Sequence, residues 1–109
     1  MEWRFEHRFE WDPVKALRNV REHKVSFERA ATVFLDPSAI SIFDEAHSED
    51  EERWVALELD RAGMLLVVCH TLREGNDTSG AAGANIRLIS ARRADRREAA
   101  EYRIGGFVQ

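Results

Sequence analysis

The sequence predicts an α+β domain: a mostly antiparallel sheet with helices packed on one side. Three observations predict it. The opening residues alternate strictly between charged and aromatic side chains. Two helical runs follow, bracketed by Asp-Pro pairs at 12–13 and 36–37. Four β-forming runs then precede a short arginine-rich helix, giving the order β-α-α-β-β-β-β-α.

Trp3, Phe5, His7, Phe9 and Trp11 share one face of the first segment, and Glu2, Arg4, Glu6, Arg8 and Glu10 share the other. Period two with one apolar face is a half-buried strand, with His7 structural. Asp12 is a candidate N-cap and Pro13 suits the first helical position, so a helix runs to about His23. Val14, Ala16, Leu17 and Val20 share its apolar arc. Ser26 caps a second helix carrying Phe27, Ala30, Ala31 and Phe34, and the second Asp-Pro ends it. "AISIF" (39–43), "RWVALELD" (53–60) and "MLLVVCHT" (64–71) read as strands, the last apolar on both faces as a central strand is. Gly63 suits the hairpin turn between the last two. Residues 73–85, rich in Gly, Ser and Asn, read as a mobile loop. "IRLISAR" (86–92) is a further strand, and "DRRE" (95–98) is a capping box opening a helix to about Arg103.

The 109 residues suit one domain, 1–104, with 105–109 a loosely docked tail. With 44% hydrophobic and 33% charged residues, the chain is globular and not disordered. Cys69 is the sole cysteine, which excludes an internal disulfide, and it reads as a small buried hydrophobe. The N-terminus is no signal peptide, and the longest apolar run, "MLLVVC", is too short for a bilayer. A cytoplasmic protein with no membrane association is expected.

Net charge is −4, but unevenly spread. Residues 44–52 hold six acids and no Lys or Arg, whereas residues 86–103 hold six arginines and three acids. Local potential, more than net charge, attracts an anion. Arg92 and Arg93 close a strand, and Arg96 and Arg97 open the next helix. Arginine forks match phosphate oxygens, so this element suits RNA, DNA, a nucleotide or an acidic protein, unless pairs such as Arg97–Glu101 merely lace a surface helix.

Other constellations are open to two readings. Lys15, Asn19 and His23, spaced i, i+4, i+8, either converge on a ligand or form a solvated flank. "HSEDEER" (47–53) offers His47 as a general base or metal ligand, or is an exposed acidic loop. Arg53 begins a strand at the edge of the core. His70 ends the central strand, either at a pocket mouth or as a satisfied core histidine.

Taken together, "WDPVKALRNVREH", "VSFERA", the second Asp-Pro, "HSEDEER", "ISAR" and the E-x-x-x-Y of Glu98 and Tyr102 resemble the BrnT family of toxins from bacterial type II toxin–antitoxin systems. The resemblance covers about residues 9–103. It implies a RelE-like fold, ribonuclease activity that inhibits translation, and neutralisation by a ribbon-helix-helix antitoxin whose complex binds operator DNA. Lys15, His47, Arg53 and Arg92 match positions suited to catalysis. His23, His70, Arg93, Arg96 and Tyr102 are the expected RNA-binding or supporting residues. Trp11, Asn19 and Glu98 also match. Lys24 stands where a glycine is expected after His23, and the 73–85 loop looks longer than usual.

The resulting expectation is a metal-independent endoribonuclease without cofactor, held by its antitoxin in a 2:2 complex. Two rivals are a non-catalytic basic module that binds an acidic protein or nucleic acid, and a metal-dependent nuclease using the 44–52 acids.

Overall fold

In the computed structural model, which describes residues 6–35, 40–45, 52–76 and 82–104, the alternating first segment is strand β1 (Glu6–Glu10). Helices α1 (Pro13–His23) and α2 (Phe27–Ala31) follow, and a 3-10 turn, Thr32–Leu35, extends α2. Strands β2 (Ile40–Phe43), β3 (Arg53–Leu59), β4 (Leu65–Thr71), β5 (Arg73–Asn76) and β6 (Ala82–Arg93) precede helix α3 (Arg96–Arg103). The fold is α+β with a mixed sheet ordered β1-β6-β4-β3-β2, and β5 also pairs with β6.

The local signals act as their chemistry dictates. Asp12 accepts from the Val14 amide at 2.8 Å, and Ser26 accepts from the Arg29 amide at 3.1 Å. Asp60 closes the β3–β4 turn by accepting from the Ala62 and Met64 amides and from Arg29 Nε. Burial works against its charge, but these bonds and the Arg29 charge outweigh that and hold the carboxyl below the usual range. Gly63 takes φ +83° in this turn, a conformation that strains a residue with a Cβ.

Two expectations need correction. The stretch 73–85 is not all loop: Arg73–Asn76 pairs antiparallel with Ala82–Asn85, so β4, β5 and β6 form one long hairpin. Its small residues suit close strand packing as well as a turn. The sheet is mostly antiparallel, as expected, and mixed only in that β1 runs parallel to β6. Helices also lie on both faces. Val25, Phe27, Ala30 and Val33 form the core with Leu66, Val68, Ala84, Ile86, Leu88 and Ala91. Leu57 and Val67 point the other way and are also buried, in the layer where α3 contacts β3. A central strand apolar on both faces needs cover on both.

One irregularity sets which β6 side chains face which layer. Cys69 pairs with Ser90 but His70 with Leu88, leaving Ile89 as an extra residue. Such a bulge reverses the alternation beyond it. Ala84, Ile86 and Leu88 face the core before it, and Ala91 does so after it. Arg87 and Arg92 therefore share the opposite face.

The core side of α1 is also not the expected one. Val14 and Leu17 are 65% and 73% exposed, whereas Asn19 is 5% exposed. Asn19 Nδ2 donates to the Val25 and Ala91 carbonyls, both at 2.8 Å, and its Oδ1 accepts from the Ala91 amide at 3.1 Å. It bonds both backbone groups of Ala91 as a strand residue would. The register of β1 on β6 ends at Arg87, so Asn19 continues that edge with a side chain. Lys24 then ends α1 at φ 60°. This left-handed position explains the glycine expected there.

Asn19→Ala leaves the Ala91 groups and the Val25 carbonyl unpaired and should cost about 3 kcal/mol in urea unfolding. A loss under 1 kcal/mol would show that water replaces the amide. Lys24→Gly should stabilise by roughly 0.5–1 kcal/mol, the relief of left-handed strain less the added entropy of the unfolded chain.

Candidate functional site

The sheet face away from the core gathers arginines from several strands. In β1, Phe9 packs on the core, so Arg8 faces the other way, and its Nε donates to Asn85 Oδ1 at 2.8 Å. Asn85 pairs with Arg73 across the β5–β6 hairpin. Leu72 is on the core side, which puts Arg73 with Arg8. One row along, Arg53 pairs with Thr71, whose Oγ1 accepts from the Arg87 amide at 3.3 Å. Arg53 and Arg87 thus flank Thr71, with Cα atoms roughly 10 Å apart at two strand spacings. Two long side chains at that spacing can close on one phosphate between them. Glu10 pairs with Arg87 and adds a carboxylate to the rim.

Helix α3 borders this face. Arg92 Nη1 and Nη2 donate to Glu98 Oε1 and Oε2 at 2.8 and 2.9 Å. Glu98 Oε1 also accepts from the Asp95 amide, while Asp95 Oδ1 accepts from the Glu98 amide. The fork of Arg92 is thus joined to the capping box of α3. Hydrogen bonding from Arg92 is the main force lowering the Glu98 pKa; burial opposes it, and the Asp95 amide assists. Glu98 in turn raises the Arg92 pKa further, so the guanidinium stays charged. Arg93 and Arg96 are exposed beside this pair, and Arg97 pairs with Glu101 at 3.5 Å.

The expected site residues separate into groups. Arg92, Arg93 and Arg96 are all at the β6–α3 junction, but Arg93 pairs with core-side Leu66 and so faces away from Arg92, whereas Arg53 shares the sheet face with Arg92. Tyr102 is half-buried on α3. Lys15 and His23 are exposed on α1, and His23 approaches Glu22 at 3.9 Å. Of the triplet Lys15, Asn19 and His23, Asn19 is turned inward as a structural bond. His70 is on the core side, 3% exposed, with its ring against Phe34 at 4.9 Å and its Nδ1 donating to the Thr71 carbonyl at 3.0 Å. It is thus a core histidine bonded through Nδ1 alone, its buried Nε2 having no hydrogen-bond partner among the described residues, and not a group at a pocket mouth. His47 lies outside the described residues.

A family model described as the ribonuclease toxin BrnT of type II toxin–antitoxin systems matches residues 11–98. The chain belongs to the BrnT family. No curated protein matches it significantly. Membership implies an RNA substrate and an antitoxin partner. The match spans Arg53, Arg73, Arg87 and Arg92 and leaves Arg8 outside. Among the described residues no helix is long and apolar enough to cross a membrane.

Reading along the sequence missed Arg8, Arg73 and Arg87 as members of this basic face. Arg8 carried a signal, since it alternates with the apolar face of β1. Arg73 sat in a stretch read as loop. Arg87 was separated from Arg92 by an odd number of positions, and only the bulge at Ile89 brings them to one side.

Two pH effects follow. The Glu98 pKa is lowered in the folded state, so its stabilisation is present above the unfolded carboxylate pKa and is lost as pH falls through the folded one. Glu98→Gln should cost about 1 kcal/mol at pH 7, and its difference from wild type should shrink below about pH 4. Burial pushes His70 below its usual pKa, against the opposing bond to Thr71. The unfolded chain then takes up the proton first, so stability falls as pH drops below about 6.5. His70→Phe should flatten the melting temperature between about pH 6.5 and 5. An unchanged slope would place the titrating group elsewhere.

Proposed function

We propose that this BrnT-family chain is a metal-independent endoribonuclease toxin with a RelE-like arrangement, and that RNA lies on the arginine-bearing sheet face beside α3. The observation that carries this reading is the placement of Arg53, Arg87 and Arg92 on one face of a chain whose net charge is −4. Fixed positive charge there matches a phosphate that gains charge on its non-bridging oxygens during cleavage.

The reaction is transesterification. The 2′-hydroxyl oxygen bonds to the adjacent phosphorus as a base removes its proton. The bond to the 5′-oxygen breaks, and an acid protonates the leaving oxygen. The products are a cyclic phosphate and a 5′-hydroxyl, and no water or oxidant is consumed. His47 is assigned near the proton transfers; Lys15, exposed on α1, which packs on the core side of the sheet, is given no step. Arg53 and Arg87 hold the phosphate, while Arg92 and Arg96 contact the flanking strand. Translation stops because RNA is cut. A ribbon-helix-helix antitoxin in a 2:2 complex restores growth and brings the toxin to operator DNA; such a twofold partner offers two equivalent docking surfaces.

Cleavage of a labelled RNA should persist in EDTA and leave cyclic phosphate ends by mass spectrometry. Loss of activity in EDTA would favour a metal-dependent site in the 44–52 acids. Arg53→Ala should lower the cleavage rate by about a hundredfold or more, and Arg53→Lys should recover only part, since an ammonium cannot fork. Arg92→Ala needs its partner as a control. Glu98→Gln breaks the same ion pair but keeps the guanidinium. If Arg92 holds phosphate, Glu98→Gln retains most cleavage and Arg92→Ala does not; equal losses would assign Arg92 to docking α3 alone.

A further inference from the structure

The feature that the proposed RNA site leaves unused is the outward face of α1. Val14, Leu17 and Arg21 are spaced i, i+3, i+7 and form one stripe. Arg18 borders it, all within an arc of roughly 100° at 100° per residue, and Lys24 follows at the helix end. Val14 is 65% and Leu17 73% exposed, with Val20 at 42% on the flank. In an 11-residue helix, whose inward positions are Ala16 and Asn19, these aliphatic side chains have no core to enter. Residues 13–24 also hold four Lys or Arg against one Glu, in an acidic chain. Among the described residues, none of Lys15, Arg18, Arg21 or Lys24 is paired with a carboxylate; Lys24 Nζ reaches only the Arg21 carbonyl at 3.3 Å.

We infer that this face of α1 is a docking surface for an acidic, amphipathic segment of the antitoxin. The assignment rests on the toxin–antitoxin reading above and adds the surface and the chemistry of the contact. An aliphatic stripe between unpaired cations calls for apolar anchors flanked by carboxylates. A second copy of this chain does not fit, because two such faces would bring like charges together. RNA fits less well, because Val14 and Leu17 offer nothing to a phosphate and no aromatic platform to a base.

The test uses the full-length chain and the short protein encoded by the reading frame adjoining its own. Binding is followed by surface kinetics at several salt concentrations, with RNA cleavage measured alongside. Val14→Ser with Leu17→Ser should weaken binding at least about thirtyfold, mainly through faster dissociation. Arg18→Glu with Arg21→Glu should slow association and reduce its salt dependence. RNA cleavage by the free chain should be unchanged in both, which also shows that each variant is folded. If both bind as tightly as wild type, the docking surface is overturned while the toxin reading stands. If wild type does not bind the adjoining protein at all, the toxin–antitoxin reading itself fails. If the arginine variant loses cleavage but keeps the partner, α1 is an RNA surface and the inference is wrong.

Discussion

The bond that the rest of the arrangement depends on is the pairing of the Asn19 side chain with both backbone groups of Ala91. It occupies the edge of β6 beyond the end of β1, where open N–H and C=O groups would otherwise need water or another strand. Its third bond, to the Val25 carbonyl, fixes the turn from α1 into α2. α2 is thereby set over the core, and Phe27, Ala30 and Val33 meet Leu66, Val68 and Leu88. One amide joins the sheet edge, the helix order and the core, and replacing it with a larger apolar side chain would supply none of those bonds.

The same junction governs the functional face. Ala91 lies just past the bulge at Ile89, so holding Ala91 on the core side holds Arg92 on the other. Arg92 then reaches Glu98 and, through it, the capping box that starts α3. The helix contacts β3 at the end of the face where Leu57 and Val67 are buried, and Arg53, Arg73 and Arg87 lie at the other end. Stability and charge placement thus share residues: Arg92 both ties α3 down and presents a cation beside it.

Much of the fold was legible because its signals are local. Asp12, Pro13, Ser26, Gly63 and the Asp95–Glu98 box each act through neighbours a few residues away, and each marks its element in the structure. What was not legible depends on distant pairing. The inward turn of Asn19 against the apolar arc of α1 follows from groups 72 residues away on Ala91. Arg73–Asn76 has loop composition and becomes a strand only because β6 lies beside it. The placement of α3 on the second face was present in the doubly apolar pattern of β4, but helix packing on one side was the simpler inference. For the site, the Arg92–Arg93–Arg96 cluster was visible as a run in the sequence. The face it joins was not, since strand order and a single extra residue decide which arginines share it.

The central claim is that RNA phosphates sit on the sheet face bearing Arg53, Arg87 and Arg92. Its most direct measurement is NMR of the arginine Nε–H groups during titration with a short RNA whose 2′-oxygens are methylated, so that it binds without being cut. The Arg53 and Arg87 signals should shift and gain protection from solvent exchange, with Arg92 following and Arg18 and Arg21 still. Shifts confined to Arg18 and Arg21, with Arg53 and Arg87 unmoved, would contradict it.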